Sequence, residues 1–216
     1  MWLKKLLMCL VIVALAGCLN DDDDKGFPQL EDINNTSELD DNRDRDVSTT
    51  SGLNGIWITP KCTVMDDGGS YDGGVIIDGT EWIHIIRAYD DTDCFSSTME
   101  IVHEILTISG NKVTLSNGEV VTQIDDLTTG KFTTPLRNDV AIYFNDISKC
   151  GITTWEVGVT RDVSQCNEMV GTHTYDIYQI KNNRLYSGLE TEANDGETPE
   201  ARPDELNYED YLVRQR

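Results

Sequence analysis

The chain has 216 residues, of which 39 are acidic and 17 are lysine or arginine, for a formal net charge of −22. So acidic a surface repels nucleic acid and anionic lipid headgroups, which excludes a nucleic-acid-binding role. The length suits one domain of ordinary size with appendages at its ends.

Lys4 and Lys5 head an apolar stretch from Leu6 to Leu15. A positive start, an apolar core of roughly 7–15 residues and small residues before a cut are the parts of an export signal. The apolar run stops at Leu19, short of the roughly 20 residues that a spanning helix needs. The run Leu15-Ala16-Gly17-Cys18 resembles the lipobox of bacterial lipoprotein precursors. That resemblance implies removal of residues 1–17 and a lipid, carried by the Cys18 thiol, at the mature N-terminus. Several acyl chains on one residue anchor strongly, at about 0.8 kcal/mol per buried CH₂. Leu19 follows the Cys where Asp resembles an inner-membrane retention signal, so the expected address is the cell envelope at the outer membrane. The periplasmic and the surface face both stay open.

Residues 18–52 are expected to be a disordered tether. From Leu19 to Gly52 the chain holds eleven acidic residues against three basic ones, a local charge of −8. Low hydrophobicity with such charge does not offset ordering entropy, and like charges extend a linker. Residues 190–216 are also acidic, with Pro199 and Pro203, and read as a C-terminal tail that wraps loosely.

Between these lies residues 53–189, an all-β domain by its punctuation. Gly55 to Thr59 reads as a strand stopped by Pro60, and Asp66 to Gly74 as a loop. Val75-Ile76-Ile77 runs into Asp78-Gly79, a tight hairpin signal, and returns over Thr80 to Tyr89. Met99 to Ile108 reads as a strand ended at Gly110-Asn111, and Asn117-Gly118 joins a second hairpin. Val140 to Phe144 and Trp155 to Thr160 read as strands, the latter alternating apolar and polar residues. A closing hairpin crosses Asn182-Asn183. Nine or ten short strands with tight turns suit an antiparallel up-and-down barrel, with a β-sandwich as the alternative.

Leu53-Asn54-Gly55-Ile56-Trp57 resembles the G-x-W strand of lipocalins and related calycins. Tyr89-Asp90-Asp91-Thr92-Asp93-Cys94 is similar to the Y-x-D-x-x-C spacing of the secreted APCDD domain, itself a lipocalin-like barrel. Both resemblances imply a lipocalin-like barrel, and the first implies that Trp57 closes its floor rather than touching a ligand.

Cys62, Cys94, Cys150 and Cys166 are an even set in an exported chain, so disulfides are expected. Sequence-local pairing, Cys62–Cys94 and Cys150–Cys166, closes the shorter loops; at about 3–4 kcal/mol each on a chain-entropy view, both stabilise the fold. The cysteines and His84, His103 and His173 follow no zinc spacing, and Asp66, Asp67 and Asp72 lack that of a calcium loop. No G-x-S-x-G elbow or H-E-x-x-H helix is present. The histidines read as core or rim residues, and the pairs Asp90-Asp91 and Asp125-Asp126 as solvated turns. The expectation is a protein that is not an enzyme and has no metal or cofactor.

Two functions fit. One is a lipoprotein holding a small apolar ligand, such as a lipid, in a barrel lined by aromatics, with a cavity of several hundred Å³ as its mark. The other is an interaction module that binds a protein or envelope component, marked by a filled barrel and an exposed apolar patch. The lipobox reading is tested directly: palmitate is expected to label the protein in cells, and Cys18→Ser to abolish both the label and fractionation with membranes.

Overall fold

A computed structural model describes residues 52–215; the signal peptide, Cys18 and nearly all of the tether lie outside the described residues. Among the described residues ten strands form: β1 (Gly55–Ile58), β2 (Thr63–Val64), β3 (Ser70–Asp78), β4 (Glu81–Tyr89), β5 (Ser97–Thr114), β6 (Val120–Pro135), β7 (Arg161–Asp162), β8 (His173–Lys181), β9 (Arg184–Gly188) and β10 (Leu206–Arg214). One helix, α1 (Asn138–Asp146), lies between β6 and β7. Eight of the strands close a barrel in the order β1-β3-β4-β5-β6-β8-β9-β10, with β10 returning to β1. Every pairing is antiparallel, as in the up-and-down barrel expected. β2 and β7 are short additions against β3 and β6.

Closure occurs at β1. Trp57 is opposite Val75 on one side and Arg214 on the other. Its ring is fully buried, its Nε1 donates to the Leu53 carbonyl at 2.8 Å, and the Arg214 guanidinium lies 4.7 Å from the ring centroid. Arg214 also donates to the Asn54 carbonyl at 2.6 Å. The cationic side chain thus seals the floor while its charge sits on the ring face and a carbonyl. Above the floor, Val75, Ile77, Trp82, Ile105, Ile124 and Leu185 fill the lower interior. Tyr71, Ile86 and Ile101 fill the upper part, with Met65, Met99 and Met169 packed over them. β3 approaches both neighbours closely at Gly73 and Gly74, where a Cβ would strike the carbonyl oxygens of Ile85 and Trp57; only glycine fits there.

Several expectations change. Residues 190–216 are not a loose tail, and the barrel does not end at residue 189: β10 is the closing strand, with Tyr211 opposite Tyr186 and Leu212 opposite Leu185. The mixture of Asn207, Glu209, Asp210 and Arg214 with Tyr208, Tyr211, Leu212 and Val213 hides this strand in the sequence. Residues 190–205 form a strap along β8 above its short pairing with β9; Tyr175 N–H donates to the Gly196 carbonyl at 2.9 Å and Leu189 N–H to the Glu205 carbonyl at 2.7 Å. The Asp66–Gly74 loop ends early, since β3 begins at Ser70. Gly110-Asn111 is no turn: β5 runs on through it, absorbing its irregularity as bulges at Glu104/Ile105 and Thr107/Ser109. Val140 to Phe144 is helical because Val140, Ala141 and Phe144 share one face against Trp155 and Val163. Trp155 to Thr160 forms no strand; Gly158 turns with φ +76° and donates to the Pro135 carbonyl.

The alternating turns fix two ends. The Gly79, Asn117-Gly118 and Asn182-Asn183 turns, and the start of β1, lie at the floor. The Asp90–Ser96 turn, α1 and both disulfides lie at the opposite end, here called the α1 end. Truncation after Glu205 removes β10 and opens the barrel, leaving β1 and β9 each with one unpaired edge. The truncated chain is expected to lose its cooperative thermal transition; a retained native melt would show that the barrel closes without β10.

Candidate functional site

The two cysteine pairs are joined as expected, Cys62 to Cys94 and Cys150 to Cys166. The first ties the segment after β1 to the β4–β5 turn, and the second ties the segment after α1 to the approach to β8. Both therefore brace the α1 end.

That end carries an exposed apolar surface. α1 buries Ala141 and Phe144 against Trp155, whose ring meets Phe144 edge-on at 5.0 Å. Its outer face presents Ile142, Tyr143 and Ile147, each more than half exposed at 51, 58 and 52%. The neighbouring turn presents Phe95, 90% exposed. This turn is held rigidly for so exposed an aromatic. The Asp91 carboxylate accepts backbone N–H groups of Asp93 at 3.2 Å, Phe95 at 3.1 Å and Ser96 at 2.6 Å. The disulfide holds Cys94 beside it, and Arg137, which immediately precedes α1, bonds Asp90, Ser96 and Asp139. Asp90, Asp91, Asp93, Asp139, Asp146 and Glu156 make the rim of this surface acidic. Other exposed aliphatics, such as Ile108 and Val120, lie along the β5–β6 ladder.

The interior offers little room for an apolar guest. Of the aromatics, Trp57, Trp82 and Tyr178 pack in the lower core, and Tyr71, which the sequence reading did not single out, belongs to the upper core. Tyr186 lies on the outer wall with Ile177 and Leu206, and Trp155 and Phe144 lie under α1. A cavity of about 20 Å³ opens beneath the strap, about enough for one water molecule. A groove of about 270 Å³ runs outside, between Thr59–Thr63 and Glu209–Tyr211.

Asp126, Asp176 and Tyr178 line the small cavity. Asp126 is not in a solvated turn: it faces inward from β6, is 5% exposed and accepts from Thr107 Oγ1 at 2.8 Å. Burial, with Asp176 and Asp125 adding repulsion, pushes its carboxyl up to about 7. Burial pushes Asp176 up to about 6 against the N–H groups of Ile177 and Gly188, which it accepts at 2.7 and 3.0 Å. Tyr178 is also raised by burial and by both carboxylates. From the strap, Arg202 donates to the carbonyls of Ile124 at 2.7 Å and Asp176 at 2.9 Å and pairs with the Asp125 carboxylate. One strap residue thus locks β6 to β8.

His84 and His103 are core residues, as expected; burial lowers them to about 4 and about 3. His173 is exposed and lies beside Tyr175. Asp67 accepts from Gly69 N–H, and Asp72 from the Tyr89 hydroxyl, so the acidic loop spends these carboxylates on its own bonds. Among the described residues no group of three His, Cys, Asp or Glu side chains is placed to hold a metal. Cys18 lies outside the described residues. Compared with known proteins, the chain matches no family model and no curated protein.

The buried acids set a pH dependence. A carboxyl whose folded pKa is raised binds more protons folded than unfolded, so its contribution to stability is lost as pH rises from about 4 to 7. Asp126→Asn removes that term while keeping an acceptor for Thr107. Thermal melts are expected to show a shallower loss of stability between pH 4 and pH 7 in Asp126→Asn than in the native chain; equal slopes would place the Asp126 carboxyl in solvent.

Proposed function

We propose that this protein is a lipid-anchored envelope module, without catalytic activity, that docks a protein partner at its α1 end. The observation that carries this reading is an almost fully exposed Phe95 on a turn whose backbone is held by Asp91 and bonded to Arg137 at the start of α1, with the exposed Ile142, Tyr143 and Ile147 at the same end of a barrel filled by its own side chains. Exposed apolar clusters on a folded surface mark interaction sites, and rigid aromatic anchors bind with little ordering cost. The barrel is compatible with a ligand-binding lipocalin-like domain. Its filled interior moves the weight from a small apolar ligand to a partner on the outside.

Topology supports the same reading. The chain enters the barrel at the floor, so a Cys18 anchor and its acidic tether attach at the end opposite α1. The docking face then lies at the end of the domain farther from the tether's attachment. The acidic rim disfavours anionic headgroups and favours a partner whose apolar pocket is ringed by lysine or arginine.

A photo-crosslinking amino acid placed at Phe95 or Tyr143 in membranes of the native host is expected to give one discrete protein adduct. The adduct should weaken in about 1 M salt, which screens the rim. The same probe at Glu81, in the floor turn, serves as control. Lipid adducts at Phe95, or identical adducts at Glu81, would overturn the reading.

A further inference from the structure

Between β1 and β10 the barrel wall is closed at the floor and open above it. The ladder of β1 on β10 stops at Ile58 opposite Val213, while β10 continues along β9 with Tyr211 opposite Tyr186. Carried two residues further, the β1 register sets Pro60 opposite Tyr211, and proline has no N–H to offer a ladder. Antiparallel strands aim alternate residues at the same neighbour. Gln215 N–H reaches the Ile56 carbonyl at 2.9 Å, so Val213 and then Tyr211 aim their N–H and carbonyl the same way. At Tyr211 they face the outer groove of about 270 Å³ that separates Thr59–Thr63 from Glu209–Tyr211.

Both lips of the groove are held in place. Thr59 N–H donates to the Gly73 carbonyl at 2.9 Å and the Thr59 hydroxyl accepts from Gly73 N–H at 3.1 Å, which keeps this lip on β3. Three residues on, Cys62 is joined to Cys94. On the far lip, the Asn207 side chain accepts the N–H groups of Glu209 and Asp210 at 3.1 and 3.3 Å. The Arg184 guanidinium lies 4.1 Å from the centroid of the Tyr211 ring. Neither lip swings across the gap without breaking these contacts.

An unpaired strand edge is a template for another strand. An extended segment laid on it gains main-chain hydrogen bonds, while its alternate side chains set the sequence preference. Charge decides whose segment fits. Glu209 and Asp210 are exposed, and among the described residues neither is in an ion pair with lysine or arginine. The tether, with its local charge of −8, and a second copy, which brings the same two acids, are both repelled. A basic segment is attracted.

We propose that the gap beside β10 captures an extended segment of another protein, one with lysine or arginine at alternate positions. Its main chain bonds the N–H and carbonyl of Tyr211, and its basic side chains pair with Glu209 and Asp210. Thr59 to Thr63 form the opposite wall, where Lys61 repels a base, so the basic side chains settle on the β10 side. This proposal does not rest on the docking face at the α1 end, and neither falls with the other.

The test uses the full chain in neutral detergent and three capped nine-residue peptides. One alternates lysine with threonine, one alternates glutamate with threonine, and the third is the lysine peptide with every peptide nitrogen methylated. Each carries a photo-crosslinker at its centre. The lysine peptide is expected to bind saturably, with adducts within residues 59–63 and 209–213, and the glutamate peptide not to bind. Methylation should weaken binding by about tenfold, through lost main-chain donors. Glu209→Gln combined with Asp210→Asn should weaken the lysine peptide by about tenfold, the loss of two exposed ion pairs. No saturable binding, equal binding of the methylated peptide, or adducts spread over the acidic surface overturns the proposal. So does an adduct formed without peptide, from a crosslinker placed at Thr63, to residues 19–51 or to a second copy, since the tether or the chain itself then fills the gap.

Discussion

The contact between Trp57 and Arg214 is the constraint on which the rest of this structure depends. A sheet of eight strands must meet itself, and here β1 offers only four residues to do so. The closing register is short, with Trp57 and Ile58 against Arg214 and Val213. Hydrogen bonds over so short a ladder hold little, so side chains complete the seal: the indole is buried, and the guanidinium covers it while bonding the Asn54 carbonyl. Removing a buried Trp side chain typically costs about 3–5 kcal/mol, a large share of the stability of an ordinary domain. Because closure joins the first and last strands, the barrel forms only when the whole of the domain is present. The disulfides brace the other end, where β1 no longer reaches β10.

The buried carboxyls of the barrel share the strap side with one guanidinium. Acids lie toward the strap, where Asp126 and Asp176 share a small cavity and Arg202 ties the strap to β6 and β8. Burial pushes both carboxyls toward their protonated form, so this side of the interior responds to protons between about pH 4 and 7.

Much of the barrel was legible in local chemistry. Asp78-Gly79, Asn117-Gly118 and Asn182-Asn183 marked its three floor turns, and the G-x-W segment marked the strand that seals it. What escaped reading was decided by partners far away in sequence. β10 is rich in Asp, Glu and Arg because one face meets solvent, and only its place between β1 and β9 makes it a strand. Val140 to Phe144 has β-branched and aromatic residues at strand spacing, yet Trp155 and Val163 reward the helical face. Asp126 looks like half of a turn pair, but the bulges in β5 rotate it inward to meet Thr107. The candidate surface was hidden for the same reason: Phe95, Tyr143 and Ile147 have no shared sequence pattern until the helix and the stapled turn are brought to one end.

The two ends of the barrel divide the work. The floor holds the closing contact, three tight turns and the point where the tether enters, and it admits little variation without opening the barrel. The α1 end is built from excursions, the longest of which runs from residue 136 to 172 between β6 and β8 and carries α1. An excursion of that length is free to vary without disturbing the strand register, so binding chemistry accumulates there. One disulfide, Cys150–Cys166, staples it, a second holds the turn that carries Phe95, and Arg137 bonds that turn to the start of α1.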